Sequence, residues 1–215
     1  MKVILSGKVV TENEILEGKA VVFDEKIVDI IDENKLDRYQ YDEKIDAKGS
    51  YVLPGFIDIH IHGAGGCDVM DGSIEALEKI SETIASKGVT GFLGATMTMD
   101  ESTILHVLDN GRKGMEKGMP GAKLLGIHME GPFVSREKMG AQNPEYIVKP
   151  DYNLVKDYLD IIKIITLAPE EDDDYSFIEK IKGNTNIILS MGHTNASYEE
   201  AMEAIDRGIT HATHG

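Results

Sequence analysis

Residues 52–66 read VLPGFIDIHIHGAGG, an apolar run that ends in His60, His62 and a glycine-rich loop. The β-branched residues predict a strand over residues 52–60 that is buried on both faces. Alternate residues of a strand point to the same side, so both imidazoles aim at one point where the chain leaves the sheet. Imidazole is a common ligand of zinc, iron and cobalt, and the pair therefore predicts a metal site. The spacing by itself also fits two histidines that merely share a face.

The composition is that of an ordinary globular chain, with 41% hydrophobic and 28% charged residues among 215. A formal net charge of −16 disfavours nucleic acid or an anionic membrane as a partner, because both bind basic surfaces. No apolar run approaches the roughly 20 residues of a membrane span. Cys67 is the single cysteine, which excludes an intrachain disulfide and predicts a cytoplasmic location.

The chain changes its pattern near residue 51. Residues 1–50 contain short β-branched runs separated by glycines and acidic turns, which predict a small β domain. Over residues 51–215, apolar strand-like runs alternate with amphipathic stretches, and this alternation predicts parallel strands with right-handed crossovers. The predicted strands cover residues 52–60, 89–96, 123–130, 161–167, 186–191 and 209–214, and the predicted helices cover 73–87, 101–116, 151–158, 175–182 and 197–207.

A doubly wound open sheet and a (β/α)₈ TIM barrel both fit this alternation. Candidate ligands fall at the C-terminal ends of the first, third, fifth and sixth predicted strands. In a barrel those ends converge on one face, whereas in an open sheet they spread along an edge, so the barrel is favoured. Five strand–helix units and a bare strand fall short of eight units, which take roughly 250 residues. We therefore expect an incomplete α/β barrel of about six strands, in a chain truncated from something longer.

Glu130 ends the third predicted strand at a Gly-Pro break, where a carboxylate without a partner would be costly. A metal or a buried cation would explain it, and a hydrogen-bonded structural glutamate is the alternative. His193 and His214 end the fifth and sixth strands, whereas His128 is expected to support the site or face the substrate. Imidazoles with a carboxylate suit zinc, iron, manganese or cobalt, and such an ion lowers the pKa of water for hydrolysis. Residues expected to lie elsewhere, in structural or surface positions, are Cys67, His106 and His211.

Six segments together resemble one family. They are residues 54–62 (PGFIDIHIH), 128–133 (HMEGPF), 138–144 (KMGAQNP), 167–170 (LAPE), 192–196 (GHTNA) and 212–215 (ATHG). In this order they are similar to the N-acetylglucosamine-6-phosphate deacetylase family of the amidohydrolase superfamily. That family pairs a metal-dependent (β/α)₈ barrel with a small β-sandwich built from both chain ends. The resemblance implies that residues 1–50 are part of the β-sandwich and residues 51–215 an incomplete barrel.

The resemblance also implies the metal ligands. One divalent transition metal ion would be held by Glu130, His193 and His214. A second would be held at His60 and His62, as in the members that keep this histidine pair. The chain is therefore expected to be of the two-metal type, with one or two ions of zinc, iron, manganese or cobalt.

The implied substrate is an amino-sugar phosphate. The loop of Gly140, Ala141 and Gln142 corresponds to the family's contact with the sugar phosphate, and Arg136 and Lys138 are further candidates for the phosphate by charge alone. The implied reaction removes acetate from N-acetylglucosamine 6-phosphate and leaves glucosamine 6-phosphate.

The resemblance also implies what this chain would lack. In the family an aspartate at the end of the eighth strand transfers the proton. No residue here matches that aspartate, so it is expected beyond Gly215, and this chain by itself is expected to be impaired. A homodimer is implied for the full-length protein.

Two alternatives stay open at this point. The first is another amidohydrolase, a cyclic amidase or deaminase, many of which use a carboxylated lysine on the fourth strand. Here Lys163 lies near the start of that strand, and Glu130 on the third strand favours the deacetylase. The second alternative is a fragment that binds a ligand or a partner without catalysis.

Overall fold

The computed structural model divides into two compact units, Met1–Gly55 and Phe56–Gly215. It describes residues 1–214, so Gly215, the last residue of the ATHG segment, lies outside the described residues. Within that described part of the chain, no helix is both long enough and apolar enough to cross a membrane. Each unit has its own sheets and its own hydrophobic core.

The first unit consists of two small sheets. Val3 and Leu5 point from one strand, and Ala20 and Val22 from another, into a shared core, because alternate residues of a strand face the same side. The strands are β1 (Lys2–Leu5), β2 (Lys8–Val10), β3 (Ile15–Leu16), β4 (Lys19–Phe23), β5 (Ile27–Asp32), β6 (Glu43–Asp46) and β7 (Tyr51–Val52), with a 3₁₀ helix at Glu33–Arg38. One sheet has the order β5-β4-β1-β6 and the other the order β3-β2-β7.

The second unit alternates strands with helices. Its strands are β8 (Phe56–Ile61), β9 (Gly63–Ala64), β10 (Cys67–Asp68), β11 (Val89–Ala95), β12 (Lys123–Glu130), β13 (Ile162–Leu167), β14 (Ile188–Met191) and β15 (His211–Ala212). Its α-helices are α1 (Ile74–Ala85), α2 (Glu101–Lys117), α3 (Tyr152–Val155), α4 (Ser176–Asn184) and α5 (Tyr198–Arg207). Short 3₁₀ helices cover Val69–Asp71, Arg136–Lys138, Pro144–Tyr146, Lys156–Tyr158 and Pro169–Glu171.

The main sheet has six parallel strands in the order β15-β14-β13-β12-β11-β8. Within this sheet, each strand pairs with the member that follows it in the sequence. The strand order therefore never reverses, as it would in a doubly wound sheet. The sheet is also strongly curved. A flat sheet would separate its first and sixth strands by about 24 Å, yet the ring centroids of His60 and His214 lie 5.2 Å apart. The predicted incomplete (β/α)₈ barrel is therefore confirmed.

The first predicted strand, residues 52–60, is wrong in two respects. It is broken around Pro54, which has no N–H to donate to a ladder, so that β7 pairs with β2 in the first unit and β8 begins at Phe56. The prediction of a strand buried on both faces also fails. In β8, Phe56 and Ile57 are 59% and 62% exposed and Ile59 is 41% exposed, because β8 is an edge strand of the main sheet.

Two further boundaries differ from the prediction. The sixth strand, predicted over residues 209–214, is confined to β15, and His214 follows it in a left-handed backbone conformation with φ of 60°. The helix predicted over residues 151–158 is a single α-helical turn, α3, that continues as a 3₁₀ helix. The helix starts were better predicted, since Ser197 and Glu200 form a capping box at α5.

The helices pack on the apolar residues of the main sheet. Ile127 and Ile165 from the strands belong to one buried cluster with Ile178 and Ile181 of α4. Residues three apart lie on the same side of a helix, so α4 presents a continuous apolar face to the sheet. Each such side chain contributes about 1.5–3 kcal/mol on burial. This packing holds the strands whose C-terminal ends carry the polar residues described next.

Candidate metal centre

Glu130 lies at the C-terminal end of β12 with only 2% of its side chain exposed. Its Oε1 lies 2.9 Å from Nε2 of His214 and 3.2 Å from Nε2 of His193. Its Oε2 lies 3.1 Å from Nε2 of His62, and Oε1 lies 3.5 Å from Nε2 of His60. Four imidazoles from three other parts of the sheet thus converge on one buried carboxylate.

The convergence follows from the topology of the sheet. His60 is in β8 and His62 directly follows it, while His193 follows β14 and His214 follows β15. The carboxyl ends of parallel strands in a barrel sheet meet at one face, which brings residues far apart in sequence together. The structure thereby brings together all five residues that were predicted as metal ligands.

Among residues 1–214, two groups of these side chains have ligand atoms within 4.8 Å of one another. One contains His60, His62 and Glu130, and the other contains Glu130, His193 and His214. Each group offers three ligand atoms, two imidazole nitrogens and one carboxylate oxygen. Such ligands are typical of zinc and other divalent transition metals. The residues present therefore fit two metal ions that share Glu130.

Two of the histidines are oriented by backbone carbonyls. Nδ1 of His193 lies 3.1 Å from the carbonyl oxygen of Lys138, and Nδ1 of His62 lies 3.3 Å from that of Ala95. Because a carbonyl oxygen only accepts, Nδ1 must carry a proton, and Nε2 is the nitrogen that would bind a metal ion. This arrangement is typical of metal-binding histidines.

The loop after β14 is held in an unusual conformation. His193 has φ of 50°, in the left-handed region that costs a non-glycine residue about 1–3 kcal/mol. Glu170, in the LAPE segment, accepts hydrogen bonds from the hydroxyl of Thr194 and the backbone N–H of Asn195. These contacts fix the turn that follows His193. The LAPE segment contributed to the family resemblance, but no role was predicted for Glu170.

The pKa values of Glu130, His62 and His193 depend on one another. Burial alone would raise the pKa of the Glu130 carboxyl, but the hydrogen bonds from His193, His60 and His62 outweigh burial and hold that pKa well below its usual range. The hydrogen bond to Glu130 raises the pKa of His62 against the opposing effect of burial. It raises the pKa of His193 in the same way. Glu130 is therefore ionised, and His62 and His193 hold their protons more firmly than free imidazole does.

His128 lies deeper in the sheet and is 1% exposed. Its Nδ1 lies 2.8 Å from the carbonyl oxygen of Ile59, and its Nε2 lies 2.7 Å from the hydroxyl of Thr166. Thr166 also bonds to Thr213, which bonds to Ser190. Burial lowers the pKa of His128 to about 4, so the ring is neutral near pH 7. Both ring nitrogens are occupied within the sheet, and this geometry favours a supporting position under the site.

These hydroxyl residues were missed in the sequence analysis. Thr166 and Ser190 are polar residues within otherwise apolar strands, and both are fully buried. A polar residue near the C-terminal end of an apolar strand was the available signal, and it is the same signal that identified Glu130.

The loop from Gly140 to Gln142 borders the centre. A Cβ atom added to Gly140 would lie 3.3 Å from Cε1 of His193, so the backbone of the loop passes directly against this imidazole. Ala141 is exposed, whereas Gln142 is buried and donates from Nε2 to Oε2 of Glu130 at 3.1 Å. The three residues expected at the substrate are therefore adjacent to the cluster.

The two candidate phosphate cations differ in what they contact. The guanidinium of Arg136 donates to the backbone carbonyls of Pro144 and Ile147 and so braces its own loop. Lys138 lines a cavity of about 500 Å³ together with His193 and His214. Of the two cations, Lys138 is the one beside the cluster.

Three residues set aside in the sequence analysis lie outside both groups of potential ligands. His106 is exposed on α2 and bonds to Asn110. His211 is exposed in β15 and lines a groove with residues of α5. Cys67 is a free, half-buried thiol in β10.

Comparison with known proteins places this geometry in a family. The family model described as "Amidohydrolase family" matches residues 51–215. The N-acetylglucosamine-6-phosphate deacetylase of Bacillus subtilis (strain 168) is 41% identical over 214 residues, which cover 96% of this chain and 54% of that protein. The chain spans about half the length of the curated relatives it matches.

Solved structures give the same result. The crystal structure of N-acetylglucosamine-6-phosphate deacetylase from Pasteurella multocida matches with a TM-score of 0.89 at 32% identity and covers 99% of this chain and 56% of that one. A mutant N-acetyl-D-glucosamine-6-phosphate deacetylase from Mycobacterium smegmatis, in complex with N-acetyl-D-glucosamine-6-phosphate, matches with a TM-score of 0.84 at 26% identity. That match covers 99% of this chain and 55% of the mycobacterial one.

The fold, the site and the comparisons agree. The amidohydrolase family is metal-dependent, and residues of this chain form two groups that could hold a metal. Both groups lie at the C-terminal ends of the barrel strands, within the matched residues 51–215. The chain belongs to the amidohydrolase family.

Proposed function

We propose that this chain carries the metal centre of an amide hydrolase that removes acetate from N-acetylglucosamine 6-phosphate and leaves glucosamine 6-phosphate. The observation that carries the proposal is the convergence of four imidazole Nε2 atoms on the buried carboxylate of Glu130. The names of the relatives, which are deacetylases of this amino-sugar phosphate, support the choice of substrate.

In this proposal His60, His62 and Glu130 hold one divalent ion, and Glu130, His193 and His214 hold the second. The ion is zinc, iron, manganese or cobalt, which are the metals that imidazole and carboxylate ligands suit. When bound, such ions polarise a carbonyl oxygen and lower the pKa of water toward neutrality. Glu130 would serve both groups, because its Oε2 faces His62 while its Oε1 faces His214 and, at 3.5 Å, His60.

The residues around the cluster would bind and orient the substrate. The backbone at Gly140 passes beside His193, and we propose that it contacts the sugar together with the backbone of Ala141. Lys138 lies at the wall of the 500 Å³ cavity next to His193 and His214, where its ammonium group would attract the phosphate. A cavity of this volume lies within the range of small-molecule sites, about 300–1,000 Å³. The support for His128 as a direct substrate contact is weaker, because both of its ring nitrogens are already bonded.

Hydrolysis of an amide also needs a group that takes a proton from water and gives it to the departing amine. Glu130 is poorly suited, because both of its oxygens face imidazoles. It is the single carboxylate in the two ligand groups found among residues 1–214. The proposal therefore keeps the expectation of a further aspartate, outside this sequence, for the acid–base step.

The cyclic amidase or deaminase alternative is less well supported. A carboxylated lysine would have to stand at the C-terminal end of β13, beside Glu130. There the residue paired with Glu130 is Thr166, whereas Lys163 is exposed and bonds to the carbonyl of Asp160 at the start of the strand. Glu130 therefore takes the position between the two ligand groups that a carboxylated lysine would otherwise fill.

Metal analysis and a product assay test the proposal together. Protein purified without chelator should contain up to two transition metal ions per chain, and His214→Asn should lower that content while His106→Asn, at the exposed histidine of α2, should not. The protein encoded by the complete reading frame should release acetate, and no ammonia, from N-acetylglucosamine 6-phosphate. Absence of stoichiometric metal from the wild-type chain would refute the proposed centre, and release of ammonia would refute the proposed reaction.

The domain division, the oligomeric state and the location are further expectations from the sequence. We propose that residues 1–50 belong to a β-sandwich domain and residues 51–215 to the barrel domain. The homodimer and the cytoplasmic location stay predictions.

A further inference from the structure

Among residues 1–214, Gln142 is the one side chain other than a histidine that bonds directly to the Glu130 carboxylate. It is 3% exposed, although glutamine is mostly found at protein surfaces. Its backbone N–H donates to the carbonyl oxygen of Met139 at 3.0 Å, closing a turn that directs the side chain inward. A buried amide must have its hydrogen-bonding atoms satisfied, so its partners indicate what it does.

The orientation of the Gln142 amide is fixed by one contact. The backbone N–H of Thr98 donates to Oε1 of Gln142 at 2.7 Å. A backbone N–H can only donate, so the atom it meets must be the oxygen, and the nitrogen of the amide must point the other way. Nε2 then lies 3.1 Å from Oε2 of Glu130 and 3.7 Å from Sδ of Met97. Both amide hydrogens and the amide oxygen therefore have partners inside the protein.

These contacts leave the Gln142 side chain no free donor for a sugar phosphate. A substrate contact through the amide would first have to break the bond to Glu130 and leave a carboxylate oxygen without its donor. Removing a partner of a buried charged group is costly, because the desolvation of that group is no longer compensated. The side chain thus faces the metal ligand and not the cavity beside Lys138.

The bond to Gln142 reaches only one of the two carboxylate oxygens. Oε2 accepts from Gln142 and faces His62 at 3.1 Å, while Oε1 faces the three other histidines, with His60 the most distant of them at 3.5 Å. A carboxylate oxygen has two lone-pair sites, so one donor on Oε2 leaves one site free for an ion. An amide carries no charge, so it orients the carboxylate without competing with a cation, as a lysine or arginine would.

We propose that Gln142 is a positioning residue for the metal centre: its amide, anchored on the backbone N–H of Thr98, turns Oε2 of Glu130 toward His62 and so supports the ion of the group that contains His62. This inference rests on the proposed function. It assigns the side chain to Glu130 in place of the sugar phosphate, the role predicted for Gln142 from the family resemblance. The backbone of Gly140 and Ala141 remains the part of the loop proposed for the substrate.

Zn²⁺ binding to Gln142→Met tests the inference, because methionine keeps the side-chain volume and removes both amide contacts. The measurement is a titration of metal-free protein with Zn²⁺ against a competing chelator. Loss of such an orienting partner typically costs 10–100-fold in metal affinity. We expect the weaker of the two bound ions to lose affinity by at least tenfold and the other to change by less than threefold.

A second background shows which group is affected. In His62→Asn, which removes a ligand of the first group, adding Gln142→Met should change the affinity of the remaining ion by less than threefold. Ser81→Ala is the matched control, since it removes another buried hydrogen-bonding side chain, at the opposite end of β12. It should leave both affinities unchanged. Gln142→Ala repeats the test should Gln142→Met unfold, and the melting temperature of each variant reports on folding.

The outcomes separate the inference from the proposed function. Two ions bound to Gln142→Met with wild-type affinity would overturn the inference and leave the proposed function intact. A raised KM for the amino-sugar phosphate with unchanged metal affinity would also overturn it, in favour of a substrate contact. A wild-type chain that binds no Zn²⁺ in the titration would instead overturn the proposed function itself.

Discussion

Replacement of Glu130 by glutamine is the perturbation that best separates a shared metal ligand from a structural glutamate. Glutamine keeps the shape of the side chain and removes the charge on which four imidazoles converge. Since Glu130 belongs to both ligand groups, Glu130→Gln should lose both ions. Substitution of a histidine from a single group, as in His62→Asn or His214→Asn, should lose one.

The size of the effect on the metal-free chain follows from burial. Glu130 is 2% exposed and ionised, and breaking a buried ion pair by removing one partner costs about 3–5 kcal/mol. At about 2–4 °C per kcal/mol for a chain of this length, the melting temperature should fall by roughly 6–20 °C. The pKa of His62 and that of His193 should both decrease toward the ordinary value of about 6.5, since Glu130 is what raises them.

Three measurements assay the substitution: elemental analysis for metal content, thermal unfolding of the chelator-treated chain, and an NMR titration of the imidazoles. Asp172→Asn is the matched control. Asp172 is another buried carboxylate, but it accepts the backbone N–H groups of Phe177 and Ile178 at the start of α4. It should reduce stability and keep both ions. An ion retained by Glu130→Gln at wild-type affinity, or unchanged imidazole pKa values, would refute the shared-ligand reasoning.

Four further predictions concern pH and stability. Each ligand group contains one histidine with a raised pKa, His62 or His193, and metal binding displaces its proton. The apparent affinity of each ion should therefore rise with pH by up to about tenfold per unit until that pKa is passed, as measured by chelator competition. The metal-free chain should show the opposite trend in thermal unfolding: the stability from a raised imidazole pKa is complete below about pH 6.5 and is lost as the pH rises through the raised value. His128→Phe should cost about 2–5 kcal/mol in urea unfolding, because the Ile59 carbonyl and the Thr166 hydroxyl lose their partner. Ser197→Ala should cost about 0.5–2 kcal/mol, because it removes the N-cap of α5, and Ser197→Thr should recover most of this.

The sequence predicted the parts of the fold that depend on local pattern. Apolar runs of the right length predicted the central strands, and β12 begins and ends at the predicted residues. Helix caps were also informative, because the side chains of Ser73 and Ser197 each accept a backbone N–H of the first helical turn, which has no partner within the helix. The edges of the main sheet were predicted least well. The burial of β8 and the length of β15 depend on how many neighbours a strand has, and no local pattern encodes that number.

The candidate metal centre, like the fold, was predicted from the sequence only where the signal is local. His60 and His62 were predicted as a pair from alternation alone, and Glu130 from the cost of a carboxylate at the end of an apolar strand. The partners that orient them could not be found in this way. The carbonyls of Ala95 and Lys138 belong to the backbone, so side-chain identity carries no trace of their role. Their contribution is visible only when the strands are assembled.

Glu130 connects the curvature of the main sheet to the chemistry of the centre. His60 and His62 belong to one edge of the sheet and His214 to the other, and both edges meet at this single carboxylate. An ion in either group would therefore hold parts of the chain that are more than 60 residues apart, and the two ions together would join β8 to the end of β15 through β12. Ordering these distant segments costs conformational entropy, which ion binding offsets because the assembled ligand set does not exist in the unfolded chain. Metal binding would therefore stabilise this face of the barrel, with Glu130 as the residue common to both ligand groups.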